Sequence, residues 1–384
     1  YGFTGNTEIG VYESLATLGT SNWILGNQLV SGFFPNKIPN PDLKWERTGQ
    51  FDIGLDLGLF NNRLRITTDY YKKKTTDLLY SVAVPATSGY QTMLKNIGSI
   101  ENQGYELSIE SDNLTGAFSW TTAFNIAFNR NKVLELGGEE YKEMAEGDGH
   151  LKTGSVRRLI VGEPIGVFYG YRFDGIFQNE EECKQQTSSA SPIGVGLRRY
   201  KDLNGDGKVD AANDREILGD ANPKFFGGLT NTFAYKGFEL NVFLQYSYGN
   251  KILNYNAMEL ENPTGGQNAY ADMVNRWTPE NPSNIYPKAT TNRALLVSDR
   301  FIEDGSYLKL KTLSLSYSFP KINLKHIQGL RLYVTGQNLL TWTKYRGYDP
   351  EVSYRGASTL EAGEDFGGYP QSRTFMFGIK LDIK

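Results

Sequence analysis

The sequence is poor in the residues on which disulfide scaffolds and most metalloenzymes depend. Its 384 residues include one cysteine, Cys183, and two histidines, His150 and His326. A single cysteine excludes a disulfide within the chain and a cysteine-rich zinc site. Because Cys183 has no histidine near it in the sequence, and no other catalytic constellation appears, we predict that the chain is not an enzyme.

Long apolar runs and an excess of basic charge are also missing. No apolar run exceeds about four residues, whereas a helix that spans a membrane needs about 20. The 40 Lys and Arg residues are balanced by 43 Asp and Glu residues, which gives a formal net charge of −3. This balance argues against a bulk nucleic-acid binder, since such proteins carry a strong basic excess.

Aromatic residues, glycines and alternating patterns are abundant instead. The chain contains 24 Tyr, 21 Phe and 42 Gly. Large apolar residues alternate with small or polar ones at residues 51–59, 118–129, 238–248 and 374–383. Alternation with a period of two predicts β-strands. Near Lys311 the phase of the alternation slips, which predicts a β-bulge.

The length of these runs bears on the environment of the strands. They reach about 10 to 13 residues, whereas a usual strand has five or six. A tilted strand needs about 9 to 11 residues to cross a bilayer. Bulky aromatic residues lie near the strand ends, as they do at the two interfaces of membrane barrels. The runs therefore favour an all-β, antiparallel transmembrane β-barrel over a soluble sandwich.

The connections between the runs alternate in length. Short turns are expected at residues 60–62, 112–116, 236–237 and 320–328, and long segments at about 76–102, 130–222, 250–304 and 342–371. Outer-membrane barrels have short periplasmic turns and long extracellular loops. If the run at 48–59 descends, every short turn and the C-terminus lie in the periplasm. This topology requires 130–222 to hold an even number of crossings or none, so the strand-like stretch 166–177 must be paired or lie outside the membrane.

About nine or ten spanning strands with loops of this size would make an ill-matched small barrel. We therefore expect the chain to be the C-terminal part of a larger one. Residues 1–46 are expected to be a loop and strand remnant. Residues 47–384 are expected to form barrel, with long extracellular loops at about 130–222, 250–304 and 342–371.

A set of short motifs occurs in a characteristic order and spacing. The motifs are Asn40-Pro41-Asp42-Leu43-Lys44-Trp45-Glu46, Asp69-Tyr70-Tyr71, Asn96-Ile97-Gly98, Asn102-Gln103-Gly104-Tyr105-Glu106, Asp304-Gly305-Ser306-Tyr307-Leu308-Lys309-Leu310, Thr335-Gly336-Gln337-Asn338-Leu339, and Tyr369-Pro370 followed by Arg373-Thr374-Phe375. Together they span most of residues 40–384, and the sequence resembles the SusC/RagA family of TonB-linked outer-membrane proteins.

The resemblance implies a plugged barrel of about 22 strands in the outer membrane of Bacteroidetes. It implies import of nutrients too large for porins, usually oligosaccharides and sometimes peptides. The implied partners are a SusD-like surface lipoprotein that closes as a lid, and TonB, which transmits energy from the inner membrane. The plug domain, the TonB-contacting segment and the early strands are absent from this sequence, so we expect that it cannot transport alone. Lys384 stands where such barrels often end in an aromatic residue.

One loop segment carries an EF-hand-like pattern of calcium ligands. Its candidate ligands are Asp202, Asn204, Asp206, Lys208 through its backbone carbonyl, Asp210, and Asp214. Hard oxygens at positions 1, 3, 5, 7 and 9, with Gly207 at position 6, are the arrangement that curls around Ca²⁺. Position 12 is Asn213 rather than Glu, so the bidentate ligand is missing or displaced to Asp214. The alternative is an ordinary glycine-rich turn.

Aromatic residues of the long loops are candidates for stacking on sugar rings or for packing the loops and the membrane interface. They are Tyr169, Tyr171, Tyr255, Tyr270, Trp277, Tyr286, Trp342, Tyr345, Tyr348 and Tyr354. The packing role is the commoner one for any single residue, and for Trp277 we predict it.

A basic run, Tyr70-Tyr71-Lys72-Lys73-Lys74, lies on a strand that rises to the outer rim. A charge run is usually a solvated face. We interpret this one as a charged rim that meets lipopolysaccharide phosphates.

Two other functions remain open from the sequence. A passive porin or a surface adhesin could share the barrel, and a plug domain upstream would argue against both. A secreted soluble β-protein, such as a carbohydrate-binding sandwich, would need no detergent for extraction. The loop residues are compatible with either oligosaccharide or peptide as substrate.

Overall fold

The computed structural model describes most of the chain. It covers residues 1–6, 12–90, 92–144, 147, 150–151, 153–262, 268–291, 295–319, 327–351, 353–354, 356 and 360–383, with the side chains of residues 81, 83 and 86 excepted. The expected features at His326, at Lys384 and in most of the turn at 320–328 lie outside these residues.

Strands dominate the structure. In chain order they are β1 (Gly2–Asn6), β2 (Leu18–Leu25), β3 (Gln28–Pro35), β4 (Glu46–Leu59), β5 (Leu64–Thr76), β6 (Leu79–Ala83), β7 (Thr92–Asn96), β8 (Ser99–Thr115), β9 (Phe118–Glu135), β10 (Tyr141–Glu143), β11 (Arg158–Ile160), β12 (Val167–Gly170), β13 (Phe173–Ile176), β14 (Thr187–Ser188), β15 (Arg198–Tyr200), β16 (Lys208–Val209), β17 (Glu216–Asp220), β18 (Phe225–Tyr235), β19 (Phe238–Tyr248), β20 (Lys251–Asn254), β21 (Ile302–Asp304), β22 (Tyr307–Ser318), β23 (Ile327–Thr343), β24 (Glu364–Asp365) and β25 (Thr374–Ile383).

Helices are short. The α-helices are α1 (Glu180–Lys184) and α2 (Tyr255–Leu260), and 3₁₀ turns occupy Ala86–Ser88, Ala271–Asn275 and Asp299–Phe301. No helix in the described part of the chain is both long enough and apolar enough to cross a membrane.

Ten strands form one antiparallel sheet in the order β1-β4-β5-β8-β9-β18-β19-β22-β23-β25. Because neighbours in this sheet follow one another along the chain, the sheet is an up-and-down meander, as in outer-membrane barrels. The expected all-β antiparallel fold is confirmed. Residues 136–224 add no strand to this sheet among the described residues. The stretch at 166–177 forms β12 and β13, which pair outside it with β17 and β15.

Tight turns close one end of the sheet, as the sequence indicated. Phe60, Asn61 and Asn62 link β4 to β5 with φ of 55°, 55° and 62°. Lys236 and Gly237 link β18 to β19 with φ of 48° and 87°. Positive φ at both central residues of a two-residue loop matches the right-handed twist of the flanking strands. The predicted slip near Lys311 is confirmed, because the registers of β22 shift between Leu310 and Thr312.

The two faces of the sheet differ in chemistry. On the apolar face, large side chains oppose one another across strands, as in Ile109 with Phe124 and in Leu244 with Leu229 and Leu310. One polar interruption is internally satisfied: Asn231 Oδ1 accepts hydrogen bonds from Trp120 Nε1 at 2.9 Å and from Thr122 Oγ1 at 2.7 Å. A sandwich core would bury the apolar face under a second layer. Ile379, which lies on this face opposite Leu332, is instead 69% exposed.

Aromatic residues mark both edges of the apolar face. The row toward the long loops contains Tyr70, Tyr105, Phe128, Phe225, Tyr246 and Trp342. The row toward the short turns contains Phe118, Tyr235, Phe238 and Tyr317. On β9, the ten residue steps from Phe128 to Phe118 give about 33 Å along the strand. A tilt of about 40° reduces this to roughly 25 Å, which is the height of the apolar band of membrane barrels.

The buried core lies in the long connections rather than in the sheet. We call the described parts of residues 136–224, 249–306 and 344–373 the loop assembly. Its main cluster contains Phe168, Tyr255, Met258 and Phe301, each with no measurable exposure. The long connections therefore form a folded layer of their own at one end of the sheet.

Candidate functional site

The polar face of the sheet presents a groove near its loop end. Eight side chains line it: Gln50, Asp52, Asp69, Tyr71, Lys73, Asn102, Glu106 and Asn129. They are carboxylates, amides, one phenol and one ammonium, which are groups that hydrogen-bond hydroxyls and peptide groups. In a barrel this face bounds the lumen.

Gly104 makes room for Tyr71 in this groove. A Cβ at Gly104 would lie 2.3 Å from Cζ of the Tyr71 ring. Glycine in the interior of a strand often marks a site where another group approaches the backbone closely. The Asn102-Gln103-Gly104-Tyr105-Glu106 motif thus leaves room for the Tyr71 ring against the polar face at Gly104.

Buried ion pairs hold the loop assembly together. Arg157, 1% exposed, donates from Nε to Glu364 Oε1 at 2.8 Å, and its guanidinium lies 4.2 Å from the centre of the Phe168 ring. Tyr255 Oη donates to the other oxygen of Glu364 at 3.3 Å. Breaking such a pair costs about 3–5 kcal/mol because one charge is left buried without a partner.

A second cluster is built around Glu261, which is fully buried. Its two oxygens accept from Arg300 at 2.7 Å and from Arg346 at 2.8 Å. Arg346 also donates to Glu303, so it ties residues 344–351 to the strand pair β20–β21. Burial alone would lower the pKa of Arg346, but its hydrogen bonds to Glu303 and Glu261 outweigh burial and raise the pKa above its usual value.

The loop aromatics divide into packed and exposed groups. Tyr171, Tyr255 and Tyr345 are 6%, 0% and 5% exposed. Trp277 donates from Nε1 to Gln178 at 3.0 Å and lies against Gly196, so it packs a loop as expected. Tyr348 is exposed, and Trp342 belongs to the interfacial row.

The remaining three half-buried aromatics have partners within the loop assembly. Tyr169 lies between Arg158 and Arg215, and Tyr286 donates to Asp272 at 3.2 Å. Tyr270 packs against the main apolar cluster. Tyr354 is 42% exposed and makes an edge contact with Phe366. Most of the candidates therefore serve packing, and Tyr348 is the most accessible aromatic among them.

The calcium-like segment is curled by hydrogen bonds between its own side chains and backbone. Asp202 accepts from the N–H groups of Gly205 and Gly207, both at 2.7 Å. Asn204 accepts from the N–H of Asp206 at 3.2 Å, and Asp206 from that of Lys208 at 2.8 Å. Gly207 has φ +80°, as position 6 of such a loop requires. Asp202, Asn204 and Asp206 thus each accept a backbone N–H within one curl of the segment.

Asp214 holds this segment closed. It is fully buried, and its carboxylate accepts from Leu203 N at 2.8 Å and from Asp210 N at 2.7 Å. Asp210 accepts from Lys208 Nζ and from backbone N–H groups of Asn213 and Ala212, which lower its pKa. No group of three His, Cys, Asp or Glu side chains with metal-binding geometry occurs among the described residues. Through these two backbone hydrogen bonds Asp214 braces the loop, and its role as a metal ligand stays a prediction.

A hairpin that the sequence analysis did not single out projects from the loop end. Strands β2 and β3 pair with each other, and Leu18, Ile24, Leu29 and Phe33 on one face are 67–77% exposed. We call this element the apolar hairpin. The signal in the sequence was the absence of any charged residue from 14 to 36. An exposed apolar patch of this kind marks an interaction surface.

Comparison with known proteins assigns the family. The model of the TonB dependent receptor-like β-barrel matches residues 10–339. The chain belongs to this family. The TonB-dependent receptor P3 of Formosa agariphila is 40% identical over 388 residues, covering 99% of this chain and 38% of the relative. The TonB-dependent receptor SusC of Bacteroides thetaiotaomicron is 29% identical, covering all of this chain and 37% of the relative.

A solved structure of the RagAB peptide transporter is 28% identical with a TM-score of 0.79, and the match covers 99% of this chain and 40% of that one. The predicted resemblance to the SusC/RagA family is confirmed. The chain spans about two fifths of the length of these relatives. The relatives named here are receptors or transporters, and the family places the protein in the outer membrane, where the two aromatic rows mark the membrane interfaces.

Proposed function

We propose that the chain forms the C-terminal barrel wall of a TonB-driven importer of nutrients. The observation that carries the proposal is a sheet whose apolar band lies between two aromatic rows, while its opposite face carries a polar groove below a folded loop assembly. The polar face offers a substrate hydrogen-bonding groups, and the loop assembly restricts free diffusion. Chemistry on the substrate has no part in this role.

The remaining wall and the plug would come from other parts of the full-length protein. Strands β1 and β25 are the outermost strands of the sheet. An exposed strand edge carries unpaired N–H and C=O groups that must be satisfied inside a membrane. Further strands, to a total of about 22 as in plugged transporters, would pair with both edges and close the barrel.

The proposed substrates are oligosaccharides. Amide, carboxylate and phenol groups of the polar groove, such as Asn102, Asp52 and Tyr71, suit the hydroxyls of sugars. Peptides are the second candidate, because the RagAB relative is a peptide transporter. Peptides would use the same groups for backbone hydrogen bonds.

The proposed lid is a SusD-like surface lipoprotein that contacts the apolar hairpin. The hairpin lies at the long-loop end and carries no charge, so a partner would bind it by burying apolar area. The SusC relative and the RagAB complex support a partner of this type.

We further propose a structural Ca²⁺ in the segment 202–214. Asp202, Asn204, Asp206, the carbonyl of Lys208, and Asp210 would hold it, and the backbone curl described above fits such a loop. The bound ion would supply positive charge that pins the segment through several oxygen ligands at once.

Uptake in cells tests the transport proposal. Cells that express the full-length protein and its lipoprotein should accumulate labelled oligosaccharide, and loss of TonB should abolish this uptake. Uptake that persists without TonB would support the passive porin instead. Accumulation of labelled peptides, with none of oligosaccharides, would support the peptide importer.

A further inference from the structure

The long-loop end of the apolar face carries a cluster of cations directly beyond the aromatic row. Lys72 and Lys74 are on β5, and Arg130 and Lys132 are on β9. The strand between them, β8, aligns these residues: Glu101 is opposite both Lys74 and Lys132, and Gln103 is opposite both Lys72 and Arg130. We call these four cations the interfacial basic cluster.

Strand alternation places the cluster on the lipid side of the wall. Lys72 and Lys74 follow Tyr70 at steps of two, and Arg130 and Lys132 follow Phe128 at steps of two, so all share the face of the aromatic row. Each step of two residues advances about 6.6 Å along a strand. The cations therefore lie roughly 7 and 13 Å beyond the aromatic rings, at the depth of lipid headgroups.

The intervening residue, Lys73, points to the other face. It lines the polar groove with Asp52 and Glu106. The three consecutive lysines of the basic run are thus divided between the two faces of the sheet. Two face the membrane surface, and one faces the lumen.

The charge of the cluster is not cancelled within the described residues. Lys72 pairs with Glu101 at 3.1 Å. Of the two β8 residues that lie opposite the four cations, Glu101 is acidic and Gln103 is neutral. Arg130 donates to the backbone carbonyls of Asn129 and Lys224, which do not neutralise it. Four cations against one carboxylate leave a local charge of about +3. At the end of β19, Tyr248 follows Tyr246 of the aromatic row at a step of two, so the rim is not uniformly basic.

We propose that the interfacial basic cluster binds the phosphate groups of an outer-leaflet glycolipid. Long loops mark this end as extracellular, and we interpret the basic run as a rim that meets the lipopolysaccharide phosphates of that leaflet. Lysine and arginine are the side chains that bind phosphate by charge-assisted hydrogen bonds. The aromatic row supports the sugar and the start of the acyl chains, since aromatic rings lie at the headgroup level.

The test measures lipid bound to the full-length transporter purified in detergent. Phosphorylated glycolipid bound per protein is quantified by native mass spectrometry for the wild type and for the variant Lys72→Gln/Lys74→Gln/Lys132→Gln. We expect at least a tenfold weaker apparent affinity in the variant, because each cation near an anionic surface contributes roughly fivefold. The matched control Lys73→Gln, adjacent in sequence but on the other face, should bind as the wild type does.

Three further arms separate the alternatives. A dephosphorylated glycolipid should bind at least tenfold more weakly than the phosphorylated one. Inorganic phosphate at the same concentration should not displace the lipid, and displacement would overturn the proposal in favour of a free-anion site. Unchanged lipid binding in the triple variant, or loss of a co-purifying protein in place of lipid, would also overturn it. Heat-modifiable migration in gels verifies that each variant is folded.

Discussion

Lys309 and Asp349 form a buried ion pair between the barrel wall and the loop assembly. Lys309 is on β22 and is 1% exposed, and its Nζ lies 2.5 Å from Asp349 Oδ1. The same ammonium binds Glu351, which also receives Lys311. Burial alone would raise the pKa of Asp349, but the Lys309 hydrogen bond and two backbone N–H groups outweigh it and lower the pKa. The pair fixes residues 344–351 over the polar face.

Removal of Lys309 should release this segment. In Lys309→Met, the buried carboxylate of Asp349 loses its ammonium partner and Glu351 keeps only Lys311, at a cost of about 3–5 kcal/mol. We expect hydrogen exchange in residues 344–351 to rise by two or more orders of magnitude in the full-length protein. Lys311→Met, which removes the more exposed partner, should have a smaller effect. Adding Asp349→Leu to Lys309→Met should restore part of the protection, and equal exchange in all variants would contradict the role of the pair.

The same ion pair predicts a dependence on pH. Asp349 and Glu351 have lowered pKa values, so their contribution to stability is complete above their ordinary pKa values of about 4 and is lost as the pH falls through the lower folded values. Protection factors of residues 344–351, corrected for intrinsic exchange, should therefore be constant from pH 8 to about pH 5 and fall below about pH 4. Lys309→Met should lose most of this acid transition.

The alternating pattern predicted the sheet because it is a local property of each strand. In the part of β8 where one face meets lipid, Leu107 and Ile109 alternate with Ser108 and Glu110. Beyond the aromatic row the pattern disappears, since Glu101, Asn102 and Gln103 are polar on both faces. The ends of β8 and β9, 17 and 18 residues long, could therefore not be predicted by alternation.

The loop assembly was beyond prediction for a different physical reason. Arg157 and Glu364 are 207 residues apart, and each would be assigned to a solvated loop from its neighbours in sequence. Only the fold shows that they bury each other's charge. The motif at 202–210 was recognisable because its ligands are close in sequence, whereas the bracing role of Asp214 depends on hydrogen bonds that no spacing specifies.

The assignment of the two faces can be tested at adjacent residues. Ile109 lies on the apolar face against Ile66 and Phe124, and Ser108 lies on the polar face against Thr67 and Asn125. Ile109→Arg should destabilise the folded barrel by about 2–4 kcal/mol, the cost of arginine near the midplane, whereas Ser108→Arg should change stability little. Urea titration of the full-length protein in lipid vesicles measures both. A larger loss for Ser108→Arg would reverse the assignment.

The apolar hairpin should be required for the lipoprotein lid. Replacing Ile24, Leu29 and Phe33 by serine removes the apolar surface of one hairpin face, and each anchor of a protein interface contributes roughly 2 kcal/mol or more. Co-purification of the lipoprotein should fall at least tenfold. A control that replaces Thr20, Asn22 and Ser31 on the same face by alanine should retain it. Retention in both variants would remove the hairpin from the interface.

Calcium binding to the segment 202–214 decides whether it is a calcium site or an ordinary turn. Titration calorimetry with Ca²⁺ should show a binding heat for the full-length protein that disappears in Asp202→Ala/Asp206→Ala. A control that removes two exposed carboxylates of α1, Glu180→Ala/Glu181→Ala, should retain the heat. Asp214→Asn should destabilise the segment by about 1–3 kcal/mol with or without Ca²⁺, because an amide oxygen alone cannot replace a carboxylate that accepts two buried N–H groups. Identical heats in the wild type and the double variant would leave Asp214 as the brace of a metal-free turn.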